Sequence, residues 1–168
     1  MMIPIRKIAV KYGLVLGGIL ATYTYFLFEA NLTESGIVSN LDILFIIAVT
    51  ILAFKEYKHL NKGLMYFGTA FRLGMMIFLI SGFIIATFNY LYIEYVNQQC
   101  SAMLMDNVHK ELEASNLPEG SIDSTMKFLE KYVINSKGIA AINFIIYAII
   151  GLITTVVTGF FMKRNASF

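Results

Sequence analysis

The chain has little of what stabilises soluble or secreted domains. Of its 168 residues only 14% are charged, none is tryptophan, two are proline, and Cys100 is the single cysteine. One cysteine excludes an intrachain disulfide framework, and it leaves an intermolecular bridge open. Hydrophobic residues make up 58% of the chain, above the roughly 45–50% typical of soluble domains. The composition therefore predicts an integral membrane protein.

Sequence motifs for catalysis are missing as well. The chain contains no His-Glu-x-x-His, Gly-rich phosphate loop, nucleophile elbow or cysteine cluster. Basic stretches with interleaved aromatics, which would suit nucleic acid, are also absent. We therefore expect no enzymatic activity, no cofactor and no nucleic-acid partner.

Long apolar runs dominate what is present. The clearest is Leu73 to Ile93, closed by Arg72 in front and Glu94 behind, and as a helix rising about 1.5 Å per residue it spans a bilayer core of roughly 30 Å. We predict an all-α fold in which residues 1–168 form a single membrane domain, a four-helix bundle. Its four transmembrane helices are expected at about 10–29, 37–54, 71–95 and 138–162.

The first two predicted spans differ in how clearly the sequence marks them. The first resembles a signal peptide, but its apolar run is long and no small-residue cleavage motif follows, so we interpret it as an uncleaved membrane helix. The second is the weakest, because it needs Ile37 and Val38 to reach full length. Asp42 in that span is expected at the outer boundary, where a carboxylate can face water.

The charges predict an orientation. If residues 1–11, 55–72 and the C-terminus lie inside, that side holds nine of the 13 Lys and Arg and one of the 11 Asp and Glu. The positive-inside rule then predicts a multi-pass protein of a bacterial inner membrane with both termini cytoplasmic. The basic loop 55–72 is interpreted as a topology determinant, with binding of anionic lipid headgroups as the alternative.

An external (periplasmic) helical hairpin is predicted at about 94–137, where seven acids accompany four bases. Apolar residues there repeat at three and four, which is typical of amphipathic helices. One stripe runs through Val96, Cys100, Met103, Leu104, Val108 and Leu112, the other through Ile122, Met126, Leu129 and Val133. We expect the two stripes to pack together, Ser121 to cap the second helix, and the third span to continue unbroken to about Ser115. A helix break near Asn97 would contradict that continuity.

Small residues at four-residue spacing mark two predicted helix-packing faces. The first comprises Gly13, Gly17 and Ala21, and the second Ala148, Gly151, Thr155 and Gly159. We expect the second face to receive the first. The alternative is chance in Gly-rich apolar helices.

Few polar residues lie deep in the predicted spans. Proton- and ion-driven transporters commonly carry an ionisable residue there, and none lies well inside these spans. Asn89 and Asn143 are the intramembrane polar candidates, and hydrogen bonding between helices is the simpler interpretation.

Outside the membrane, Asp106, His109 and Glu113 share one helix face. They are weak candidates for a metal site, because imidazole and carboxylate suit zinc. However, a charged stripe is also what a solvated helix face shows.

The chain resembles the bacterial membrane proteins classed as domain of unknown function 4199, seen mainly in Bacteroidetes. The resemblance rests on Lys11-Tyr12-Gly13-Leu14 with Gly17, on Tyr66-Phe67-Gly68-Thr69-Ala70-Phe71 with Gly74, and on the long acidic hairpin. It would cover about Ile5 to Lys163. Members often have a proline at the outer end of the third span and another before the fourth, where this chain has Asn97-Gln98-Gln99 and Asn135-Ser136-Lys137. The resemblance implies architecture and localisation and transfers no catalytic residue.

Two hypotheses for function follow. The first is a structural or partner-interaction protein, whose external hairpin contacts a membrane or periplasmic protein or a second copy of the chain. The second is a small oligomeric transporter or channel in the lipid bilayer.

Overall fold

The computed structural model describes residues 5–30, 41–97, 99–115 and 118–163. In these residues the chain forms six α-helices, which confirms the all-α class. They are α1 (Ile5–Glu29), α2 (Asp42–Leu60), α3 (Phe67–Leu91), α4 (Gln99–Ala114), α5 (Glu119–Tyr132) and α6 (Ser136–Met162). Residues 37–40, where the second span is predicted to begin, lie outside the described residues.

Three helical segments among the described residues are long and apolar enough to cross a membrane. They are Ile5–Glu29, Phe67–Val96 and Ser136–Met162, so the chain has the character of a membrane protein. Helix α2 is not among them, because its 19 residues include Asp42, Lys55, Glu56 and Lys58.

Chain contacts divide the protein into two compact units. The first comprises Met1–Ile85 with Ile145–Phe168, and the second Ala86–Phe144.

In the first unit, α1 and α2 pack antiparallel. Lys11 near the start of α1 pairs with Glu56 near the end of α2, and the Tyr23 and Phe45 rings meet edge to face with centroids 5.5 Å apart. Helix α6 runs parallel to α2, because Tyr147 contacts Asp42 at one end and Met162 contacts Lys58 at the other.

The first unit has a packed interior and an apolar exterior. Its largest fully buried side chains include Phe54, Phe78, Leu16, Leu20 and Ile46. Large apolar side chains are also exposed along all of its helices, among them Phe26, Leu44, Phe83, Ile153 and Phe161. An exposed apolar surface of this extent suits contact with lipid chains and is unfavourable in water.

In the second unit the helix that carries the third span ends sooner than the sequence predicts. Helix α3 passes at Tyr92–Val96 into one π-helical turn, and Asn97 then adopts φ −129° and ψ 76°, outside the helical region. The prediction of an unbroken helix to Ser115 is therefore wrong, since α4 begins as a separate helix at Gln99.

The predicted packing of the two apolar stripes is only partly present. Helices α4 and α5 do pack against one another, and Ile122 of α5 is buried. Met103 and Leu104 of α4, however, are 57% and 40% exposed. Val108 and Leu112 of the same helix are half-buried, so the predicted stripe is covered toward the C-terminal end of α4 and exposed at Met103 and Leu104.

The hairpin helix α5 begins three residues earlier than predicted. It starts at Glu119 with Pro118 at the N-cap position, and the Pro118 carbonyl accepts the backbone N–H of Ser121 and of Ile122. Ser121 is therefore a first-turn residue and not the cap.

Candidate functional site

The predicted small face of α1 packs on α3. Gly13 and Gly17 are buried, and a Cβ built on them would lie 2.8 Å and 2.9 Å from the Cβ atoms of Ile80 and Ile84, respectively. Only glycine lets the backbones come this close, because carbon atoms normally stay about 3.5–4.0 Å apart. Ala21 on the same helix is half-buried.

The predicted small face of α6 also meets α3, and not the small face of α1. A Cβ on Gly151 would overlap the Phe78 ring, and the nearest neighbour of Gly159 is the Cβ of Ala70. A Cβ on Gly74 of α3 would likewise overlap the side chain of Thr155. The expectation that the α6 face receives Gly13 and Gly17 is therefore wrong at these residues.

A charged cluster joins α1 and α2 at the end that also holds the last residue of α6. The Glu56 carboxylate accepts hydrogen bonds from Lys11 Nζ at 2.6 Å and from Tyr12 Oη at 2.7 Å. The hydrogen bond from Lys11 is the largest cause, and that from Tyr12 the next, that keeps the pKa of the Glu56 carboxyl below its ordinary value. Lys58 Nζ donates to the carbonyl of Met162 at 3.3 Å, where a cation suits the negative end of the α6 dipole.

At the other end of α2, Asp42 is bound to α6. The hydroxyl of Tyr147 donates to Asp42 Oδ2 at 3.0 Å. Both acids of α2 therefore have hydrogen-bond donors from neighbouring helices, and the segment 43–54 between them is uncharged.

A cavity of about 430 Å³ lies in the second unit at the base of the hairpin. Its lining is Ile93, Glu94, Ser101, Ala102, Met105, Glu130, Ile134, Asn135 and Ser136. The hydroxyl of Ser136 donates to the Glu94 carboxylate, which ties the end of the third span to the start of α6.

Asn135 forms the corner between α5 and α6. Its Nδ2 donates to the carbonyls of Glu130 and Lys131, the latter at 3.0 Å, and its Oδ1 accepts the backbone N–H of Gly138 at 2.8 Å. One side chain thus closes the end of α5 and caps the start of α6.

This arrangement can now be compared with known proteins. A family model described as a protein of unknown function (DUF4199) matches residues 11–164. The chain belongs to the DUF4199 family. No curated protein and no solved structure matches it.

The DUF4199 resemblance read from the sequence is thereby confirmed over nearly its whole length.

The weak metal candidates on α4 are engaged with each other and with a lysine. Asp106 pairs with Lys110 at 2.6 Å, and His109 Nδ1 lies 3.4 Å from Glu113 Oε1. Within the described parts of the chain, no group of three or more His, Cys, Asp or Glu is placed to hold a metal ion. The side chain of Cys100 lies outside what the structure describes.

The intramembrane polar candidates differ in their surroundings. Asn89 is 4% exposed, and its Oδ1 has no hydrogen-bond partner among the described residues, whereas Asn143 is half-buried. Thr155 Oγ1 is also buried without a partner in that part of the chain. By contrast, Thr50 and Thr158 donate to carbonyls one turn back on their own helices.

The sequence did not reveal the Asn135 corner or the Ser136–Glu94 bond. A helix-capping asparagine directly before an apolar run was the available signal for the first. A serine and a glutamate separated by 42 positions leave no comparable pattern.

Proposed function

We propose that this DUF4199 chain is a non-enzymatic protein of a bacterial inner membrane, with four spans and both termini cytoplasmic. It would act through its periplasmic hairpin, α4 and α5, which contacts a partner protein or a second copy of the chain. The exposed apolar residues of α4 carry the proposal.

Helix α2 is proposed to carry the second of four spans, which ends at Phe54, and so to complete a four-helix bundle. It lies antiparallel to α1 and parallel to α6, as an alternating four-span topology requires. Its two acids, Asp42 and Glu56, are bound by Tyr147, Lys11 and Tyr12, and hydrogen bonding lowers the cost of holding such groups near the bilayer boundary.

The orientation can be tested by labelling intact cells with a membrane-impermeant maleimide in a Cys100→Ser background. Glu111→Cys, on the hairpin, should react, and Lys62→Cys, in the basic loop, should react only after lysis. The reverse pattern would overturn the proposed sidedness.

The proposed contact surface is centred on Met103 and Leu104. Met103 lies about half a turn from Val108 and Leu112 on α4, so it points away from these two half-buried apolar residues. Methionine adapts to differently shaped partners, and exposed apolar groups favour protein contact.

Photocrosslinking tests this surface. In the Cys100→Ser background, Met103→Cys carrying a benzophenone should give a protein adduct in membranes. Glu113→Cys, on the charged face of the same helix, is the matched control and should give none. An adduct of twice the chain mass identifies a second copy. If Met103→Cys yields no more adduct than Glu113→Cys, the surface has no protein partner.

A small oligomeric transporter or channel is the second candidate, favoured by the buried amide of Asn89. An unpaired amide oxygen inside a membrane helix is costly, and such groups often mark a substrate route. Flux through liposomes containing the purified protein tests this. Asn89→Leu should abolish any flux, and flux that persists unchanged removes Asn89 from the route.

A further inference from the structure

Helix α5 carries two exposed aromatic side chains that the packing against α4 does not use. Phe128 and Tyr132 are 57% and 58% exposed, and their ring centroids lie 5.2 Å apart. Lys131 Nζ sits 5.1 Å from the Tyr132 ring centroid. We call Phe128, Tyr132 and Lys131 the aromatic–lysine face.

The acids of α5 lie on its other side. At about 100° per residue, Asp123 and Glu130 are roughly half a turn away from Phe128. Lys131 lies within about 60–100° of both aromatic residues, whereas Lys127 is one turn from Asp123, on the side of the carboxylates. This distribution is typical of helices that lie in a membrane interface.

The end of α5 is fixed beside the start of an apolar span. Only residues 133–135 separate α5 from α6, and Asn135 binds both helices. A Cβ on Gly138 would lie 2.6 Å from the carbonyl oxygen of Tyr132, so the last turn of α5 touches the first turn of α6.

The boundary of the membrane passes close to this corner. Ser136, the first residue of α6, donates a hydrogen bond to Glu94. The end of the apolar segment Phe67–Val96 and the start of the apolar segment Ser136–Met162 therefore lie at the same depth. The interfacial zone reaches about 5–8 Å beyond the hydrocarbon core, and Phe128 is one turn, about 6 Å of helix axis, from Tyr132. Both aromatics therefore fall within that zone.

We propose that the aromatic–lysine face docks on the lipid bilayer itself, with Phe128 and Tyr132 inserted among the headgroups and Lys131 beside the phosphates. Aromatic residues favour this depth, and lysine can extend its amine to the phosphate level. The inference rests on α6 as a membrane span and is independent of any partner bound to Met103.

Because the chain has no tryptophan, single tryptophans report each position. Phe128→Trp is placed in phosphatidylcholine–phosphatidylglycerol vesicles whose acyl chains are brominated near the headgroup. Asp123→Trp, on the opposite side of α5, is the matched control, and Phe83→Trp, exposed within the α3 span, is the membrane reference.

The Phe128→Trp emission should be blue-shifted, shielded from aqueous iodide and quenched by brominated lipid to an extent approaching that of Phe83→Trp. The Asp123→Trp emission should be quenched by iodide and unaffected by brominated lipid. If Phe128→Trp behaves like Asp123→Trp, the face is in water and the proposal fails. If it is shielded from both quenchers, protein covers the face, which also overturns the proposal. Loss of lipid quenching at Phe83→Trp would instead refute the membrane placement on which the inference rests.

Discussion

Substituting alanine for Gly17 should destabilise the protein, whereas the same change at Gly18 should not. The two residues are adjacent on α1, yet a Cβ at Gly17 would lie 2.7 Å and 2.9 Å from Ile84 Cδ1 and Cβ. A Cβ at Gly18 would meet nothing within 4 Å. The pair therefore separates helix packing from every effect that the two substitutions share.

The magnitude follows from the overlap. Carbon atoms pack at about 3.5–4.0 Å, so the new methyl group would be too close by roughly 0.6–1.3 Å. The Ile84 methyl group can rotate away, but its Cβ is bonded to the α3 backbone, so α1 and α3 must separate. Overpacking of this kind costs about 1–3 kcal/mol. Both variants gain the same roughly 0.5–1 kcal/mol from replacing a helical glycine.

Reversible unfolding of the purified protein in mixed micelles measures the difference. Gly17→Ala should unfold more readily than Gly18→Ala by about 1–3 kcal/mol, and Gly18→Ala should equal or slightly exceed the parent protein. Equal stabilities of the two variants would refute the close approach of α1 and α3 at this residue.

Three further predictions use the same unfolding measurement. Gly74→Ala should cost about 1–3 kcal/mol through overlap with Thr155, while Gly68→Ala, which has open space around it, should cost nothing. Asn135→Ala should cost about 0.5–2 kcal/mol by removing a helix cap. Asn135→Asp should recover only part of that loss, because it keeps the acceptor for the Gly138 N–H but loses the amide donor to the carbonyls of Glu130 and Lys131. Glu56 should contribute stability at neutral pH that is lost as the pH falls through its lowered pKa, and Glu56→Gln should remove that part of the pH dependence.

Each of these predictions has a result that contradicts it. Equal losses at Gly74 and Gly68 would place the cost in glycine replacement itself and not in packing. Full stability of Asn135→Ala would show that the corner does not depend on its amide. Parallel pH profiles for the parent protein and Glu56→Gln would mean that the carboxylate of Glu56 titrates alike in the folded and unfolded states.

The sequence revealed the membrane character and the helical hairpin because both are recorded in local composition. The segment Leu73 to Ile93 is apolar whatever it packs against, and residues 94–137 alternate with a helical period. The small faces of α1 and α6 were visible for the same reason, since their spacing depends on one helix at a time.

The partner of each face was not visible. From the sequence, the faces containing Gly17 and Gly151 are suited to pack on each other. In the fold both pack against α3, Gly17 on Ile84 and Gly151 on Phe78. A periodic pattern of small residues indicates that a helix face can be closely packed. It does not indicate which of several apolar helices packs against that face.

The helix break after the third span is another feature that the local sequence does not indicate. Residues 94–115 contain neither proline nor glycine, so local signals favour one continuous helix across Asn97. Two contacts between residues distant in sequence accompany the break: the bond between Glu94 and Ser136 and the packing of α4 on α5. With these contacts, residues 92–96 form a π turn and Asn97 is non-helical.

By itself, the sequence determined that this chain is all-α, rich in helices suited to a membrane, and equipped with a polar hairpin before its last apolar segment. The tertiary structure alone decided that α3 receives both glycine faces, that the acids of α2 are bound at both ends, and that Met103 and Phe128 stay exposed. The physical reason is range: burial preference and helical period are properties of neighbouring residues, whereas pairing and register are set by contacts between residues distant along the chain.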